Sequence, residues 1–208
     1  MANRKTTIEM IAARFHIPFN TLDVFDKALV KTGVRPYAVR GKDAPRLTGL
    51  DVAHIALAAS GPRSVKSVAT DIAQISSLPL RGGIRELRDF DVSTYDYVYS
   101  QDGAKLTPTG IIEGALLQSY PRDILPMAET FGSSLANIIE RMPLSDEVEK
   151  LVVEAVWPPL SAKVQFRIDK FQYRIDFGEA TRGDLDEPEY SFKYRQGVLE
   201  YLGEIYRS

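Results

Sequence analysis

The chain reads as an α+β protein, mainly α with small β elements, divided into a head over residues 1–62 and a body over residues 63–208. Three observations lead there. Two amphipathic helical patterns flank a tight turn within the first 33 residues. A basic stretch containing Gly and Pro follows, and a capped apolar helix then runs to Gly61-Pro62. That order predicts a winged helix-turn-helix for the head and a helical domain with β-hairpins for the body.

The first helix is written in TTIEMIAARF, where Ile8, Ile11, Ala12 and Phe15 recur at the spacing of one buried helical face. His16, Ile17 and Pro18 interrupt it. Asn20 then offers a cap for a second helix, with Asp23 three residues on as the capping-box partner. Leu22, Phe25 and Leu29 form its buried stripe, which leaves Asn20, Thr21, Asp23, Lys27 and Lys31 on or near the open side; Gly33 ends it. From Val34 to Leu47 two short β-like pieces flank Arg40-Gly41-Lys42-Asp43, a hairpin signal that is the expected wing. Arg35, Arg40, Lys42 and Arg46, with Tyr37 among them, suit phosphates or a minor groove. Thr48 and Asp51 repeat the capping spacing and open a third helix through Leu50, Val52, Ala53, Ile55 and Leu57.

Charge divides along the chain. Residues 1–66 hold 11 Lys/Arg against 5 Asp/Glu, whereas the remainder holds 15 against 23. A basic head on an acidic body is the pattern of a nucleic-acid-binding protein, so double-stranded DNA is the expected partner. The run Thr7-Ile8, Ala12, Ile17-Pro18, Thr21-Leu22, Pro36, Arg46-Leu47 and Asp51 resembles the MerR-type winged helix-turn-helix, shared by excisionases and the small terminase subunits of tailed phages. The resemblance covers the first quarter of the chain. It departs from the family at His16, where a turn glycine is usual, and at Asp23, Val24 and Phe25, where Arg and aromatic residues usually follow Thr-Leu. It implies that Asn20, Thr21 and Lys27 face the major groove.

In the body, Ser60-Gly61-Pro62-Arg63-Ser64 is the expected linker, and Val65, Val68, Ile72 and Ile75 mark a helix ending before Pro79. Arg81-Gly82-Gly83 reads as a turn. Tyr95, Tyr97 and Tyr99 alternate along a strand before the hairpin signal Asp102-Gly103, and cross-strand packing is the ordinary use of such a face. Thr107-Pro108 opens an expected helical region whose repeats are Ile111, Ile112, Leu116 and Leu117, then Ile124, Ala128, Phe131, Leu135 and Ile138, then Val148, Leu151, Val152 and Ala155. KVQFRIDKFQYRIDF reads as strand with a parity switch at Asp169-Lys170, a hairpin or a bulge. An acidic loop carrying Glu179, Asp184, Asp186, Glu187 and Glu189 precedes an expected Tyr-rich helix from Tyr190 to Tyr206.

Other classes find little support. The chain has no cysteine, hence no disulfide and no thiolate metal site. His16 and His54 lack metal-ligand spacing, and the acidic loop lacks the order of an EF-hand. There is no phosphate loop, dinucleotide fingerprint, nucleophile elbow or H-E-x-x-H motif, so neither an enzyme nor a cofactor is expected. No apolar run approaches a membrane span and the N-terminus lacks a signal-peptide core, so a cytoplasmic protein without a membrane partner is expected. The expected function is a sequence-specific transcriptional regulator of phage or mobile-element origin acting as a homodimer. The alternatives are a DNA-packaging recognition subunit and a protein-interaction adaptor.

Overall fold

The computed structural model describes residues 3–36, 47–61, 63–89, 92–100, 104–105, 112–113, 121, 123–144, 146–157, 160–169, 171–178 and 190–208, with backbone alone over 86–113. The elements run α1 (Arg4–Arg14), α2 (Phe19–Lys31), α3 (Gly49–Ala58), α4 (Val68–Ser76), β1 (Leu80–Asp89), β2 (Val92–Ser100), β3 (Ala104–Lys105) and β4 (Ile112–Glu113). There follow α5 (Phe131–Arg141), β5 (Val148–Trp157), β6 (Ser161–Ile168), β7 (Phe171–Gly178), β8 (Tyr190–Arg195) and α6 (Gln196–Arg207).

Six of the strands form one antiparallel sheet in the order β2-β1-β7-β6-β5-β8, and β3 pairs separately with β4. Period-2 alternation gives the sheet two unlike faces. Val153, Ala155, Val164, Phe166, Ile175, Phe177 and Tyr194 point into the core. On the other face Glu154 pairs with Lys163 at 3.3 Å and Lys193 at 3.2 Å, and Arg174 pairs with Asp176. The helices cover the apolar face. Phe131 of α5 meets Phe177 edge-on with centroids 5.5 Å apart, and Phe15, just past α1, meets Tyr194 in the same manner at 5.7 Å.

This architecture overturns the expected winged helix-turn-helix head with a helical, hairpin-bearing body. The largest element is a six-stranded sheet, and α3 is the buried hub of the helical layer. Nine of the ten α3 residues are buried, and the helix packs against α1, α2, α4, α5 and α6. A helix apolar on all sides belongs inside a protein. Of the expected wing from Val34 to Leu47, residues 37–46 lie outside the described residues.

Three misread segments explain the missing sheet. Arg81-Gly82-Gly83 is strand β1, because a Cβ at Gly83 would stand 2.7 Å from the Ile175 side chain and 2.9 Å from the Arg174 carbonyl of the neighbouring strand. The glycine marks a close backbone approach. The helical spacing of Val148, Leu151, Val152 and Ala155 belongs to β5, in which the register slips between Glu149 and Val152. The Tyr190–Tyr206 segment starts as strand β8 and turns helical only at Gln196. The helical region expected after Thr107-Pro108 is corrected among the described residues, since Ile112–Glu113 is strand β4 and α5 begins only at Phe131. Asn3, accepting from the Thr6 amide, caps α1, and Thr48 with Asp51 forms the expected capping box of α3. β6 and β7 form a hairpin through Asp169, which takes φ 51° at the parity switch. β2 carries the three tyrosines but pairs with β1, and both Asp102-Gly103 and the acidic loop lie outside the described residues.

Candidate nucleic-acid interface

Between α1 and α2 the chain reverses through His16, a residue at φ 55° where a glycine would be conformationally free. α2 then begins at Phe19 with Pro18 at the cap position, making no side-chain cap hydrogen bond. Asn20 therefore sits inside the first turn and does not cap the helix, contrary to expectation. Leu22, Phe25, Asp26 and Leu29 are buried. Asn20, Val24, Lys27 and Lys31 recur at i, i+4, i+7 and i+11, which is a single stripe, and with Thr21 beside it all five are exposed.

Behind this stripe lies a buried ionic cluster. Asp26 is wholly inaccessible and Arg35 is 1% exposed. The Arg35 guanidinium grips Asp26 with two nitrogens, Nε to Oδ1 at 2.7 Å and Nη2 to Oδ2 at 2.9 Å, and its Nη1 stands 3.4 Å from Asp51 Oδ1. Asp51 Oδ2 accepts from both the backbone amide and the hydroxyl of Thr48, each at 2.8 Å. Arg4 approaches Asp26 Oδ2 at 2.5 Å and Asp23 Oδ1 at 2.9 Å. Lys27 completes the chain at 2.6 Å from Asp23 Oδ2. Charges alternate from the surface inward as Lys27, Asp23, Arg4, Asp26, Arg35 and Asp51, so each buried ion has a counter-ion. The Lys27 ammonium first, and Arg4 after it, hold the Asp23 carboxyl below its ordinary range against the opposing effect of burial.

This cluster corrects one expectation. Arg35 is spent inside the fold and is not a surface phosphate contact. Its position follows from Gly33 at φ 77°, after which the Arg35 amide donates to the Leu29 carbonyl and the side chain turns back beneath α2. The sequence did carry the signal, because Asp26 occupies the apolar stripe of α2 and a carboxylate there requires a buried cation.

Deeper in the helical layer, the His54 imidazole contacts Ser76 Oγ through Nε2 at 2.9 Å. Burial pushes its pKa down, Asp51 opposes that shift, and Arg35 adds to it. The pair joins α3 to α4 in the core through Nε2 alone, and Nδ1 is buried with no hydrogen-bond partner among the described residues. Of the expected site residues, Asn20, Thr21, Lys27 and Lys31 come together on one face and Arg35 lies beneath it, while Tyr37, Arg40, Lys42 and Arg46 lie outside the described residues. Among the described residues no helix is long and apolar enough to cross a membrane. The chain matches no protein-family model, no curated protein and no solved structure.

Proposed function

We propose that the chain binds double-stranded DNA through the exposed face of α2, as a site-specific regulator. The observation that carries the reading is the stripe of Asn20, Val24, Lys27 and Lys31, with Thr21 beside it, on a helix whose opposite face is locked into the core. Amide and hydroxyl side chains near the N-terminal end of a helix are base-edge readers, and lysines further along it reach phosphates. Charge adds support. The buried cluster takes Arg4 and Arg35 against Asp26 and Asp51, two of each sign, so it removes no net charge from the excess of six cations in residues 1–66. Val24, 40% exposed in the middle of the stripe, favours a second reading in which the same face takes a protein partner.

Selection from pooled random duplex DNA at moderate salt, with sequencing of the bound fraction, tests the proposal. An enriched motif is the expected result, and Asn20→Ala or Thr21→Ala should flatten it. Salt-dependent binding without enrichment would favour a packaging role instead. Absence of binding even at low salt would transfer the α2 face to a protein partner.

A further inference from the structure

Asp23 stands at the margin of the proposed reading face, and its two oxygens are divided between two cations. Oδ2 lies 2.6 Å from Lys27 Nζ and Oδ1 lies 2.9 Å from Arg4 Nη2. The two cations differ in freedom. The Lys27 side chain is 67% exposed, whereas Arg4 is also held at 2.5 Å by Asp26, which is wholly buried. Lys27 is the partner that can leave, since its ammonium lies largely in water on a long side chain and Arg4 stays behind on the carboxylate. Asp23 is only 15% exposed and remains fixed by Arg4.

We propose that Asp23 is an electrostatic latch on Lys27, a specificity-determining carboxylate that competes with DNA phosphate for the ammonium and penalises loosely placed phosphates. The inference rests on the DNA-binding reading of α2. A phosphate takes Lys27 only where the duplex is docked closely enough to draw Nζ from the carboxylate, and the fixed negative charge left behind repels any phosphate that approaches the Asp23 side. Non-specific binding is almost entirely phosphate attraction and loses most from such a charge. Specific binding adds base-edge contacts and so loses relatively less. The latch therefore widens the ratio between the two at the expense of overall affinity, which is how a repulsive element generates specificity.

The test is fluorescence anisotropy of the full chain against a random-sequence 24-base-pair duplex and against the duplex enriched in selection, across a series of salt concentrations. Asp23→Asn is expected to tighten binding to the random duplex by about two- to fivefold near 50 mM salt and to steepen the salt slope by about 0.9, the value of one added phosphate contact. The enriched duplex should gain less. Lys27→Gln should lose affinity for both duplexes and erase the gain when combined with Asp23→Asn. Tighter binding that persists in Asp23→Asn/Lys27→Gln, or a folded Asp23→Asn chain that binds both duplexes as the parent does, overturns the latch and leaves DNA binding intact. If neither parent nor variants bind either duplex at low salt, the DNA reading fails and the latch falls with it.

Discussion

Asp26 is the wholly buried carboxylate on which the ionic cluster of the helical layer converges. Its carboxylate is the shared counter-ion of Arg4 and Arg35, and Arg35 has the Asp26 and Asp51 carboxylates to neutralise it. Asp26→Ala should cost about 3–5 kcal/mol in urea unfolding, because it leaves the buried Arg35 guanidinium with only Asp51, 3.4 Å away, as a counter-ion. Replacing both sides of the pair, Asp26→Leu with Arg35→Met, should recover most of that loss, since an apolar pair of similar volume avoids the desolvation of both ions. A loss below about 1 kcal/mol for Asp26→Ala would mean that water reaches Arg35, contrary to its burial. The same residue shows what sequence patterning carries at this scale. The exposed residues of α2 were legible from a 3.6-residue period, but the destination of Arg35 depended on a reversal at Gly33 and a partner nine residues back in the chain. A cluster of cations in sequence says nothing about which of them finds a carboxylate first.

Among the elements, α1, α2, α3, the helix after the expected linker and the β6-β7 hairpin were legible because their patterns are local: caps, turn residues and unbroken periods. β5 was not, and Lys150 is the reason. It takes φ 54° within the strand, and the register slips there between Glu149 and Val152. The extra residue puts both Val148 and Leu151 on the core side, a spacing of three, and with the half-buried Val152 and the buried Ala155 this gives 148, 151, 152 and 155, the spacing of a helix. Gly83 hid β1 in a different way, by serving a close approach to a strand about ninety residues away in the chain. The bulge gives a direct prediction. Lys150 is exposed and loses no packing on substitution, so Lys150→Gly should leave the unfolding free energy unchanged or raise it by up to about 1 kcal/mol through relieved backbone strain, read by urea unfolding. Lys150→Val should cost about 1–2 kcal/mol, since a β-branched residue tolerates positive φ poorly. Stabilisation by Val over Gly would show that β5 runs unbulged in solution.

At the scale of the whole molecule, the two ends of the chain are packed together. Tyr201 of α6 donates from its hydroxyl to the Met10 carbonyl of α1 at 3.2 Å, and Arg14 lies 5.4 Å over its ring. Ser60, two residues past α3, shares a 2.6 Å hydrogen bond with the buried Tyr194 hydroxyl of β8, whose pKa is driven up by burial. Arg63, in the expected linker, stacks over Trp157 of β5 and donates from Nε to the Leu57 carbonyl. Residues 1–62 and 63–208 thus draw on one hydrophobic core, with α3 as its centre. Cut off at residue 62, α3 would expose to water the faces that α4, α5 and α6 now cover, and each apolar side chain released forfeits about 1.5–3 kcal/mol. The remaining contacts with α1 and α2 cannot offset several such losses in so short a chain. A fragment of residues 1–62 should therefore show little cooperative unfolding by circular dichroism and poorly dispersed amide resonances, whereas the full chain should unfold in one calorimetric transition. A well-dispersed spectrum from the fragment would mean that the head folds by itself and that its packing against the sheet is secondary. Because the face of α2 is held in place by this shared core, the DNA-binding measurements belong on the full chain, where loss of binding reports on the surface and not on the fold.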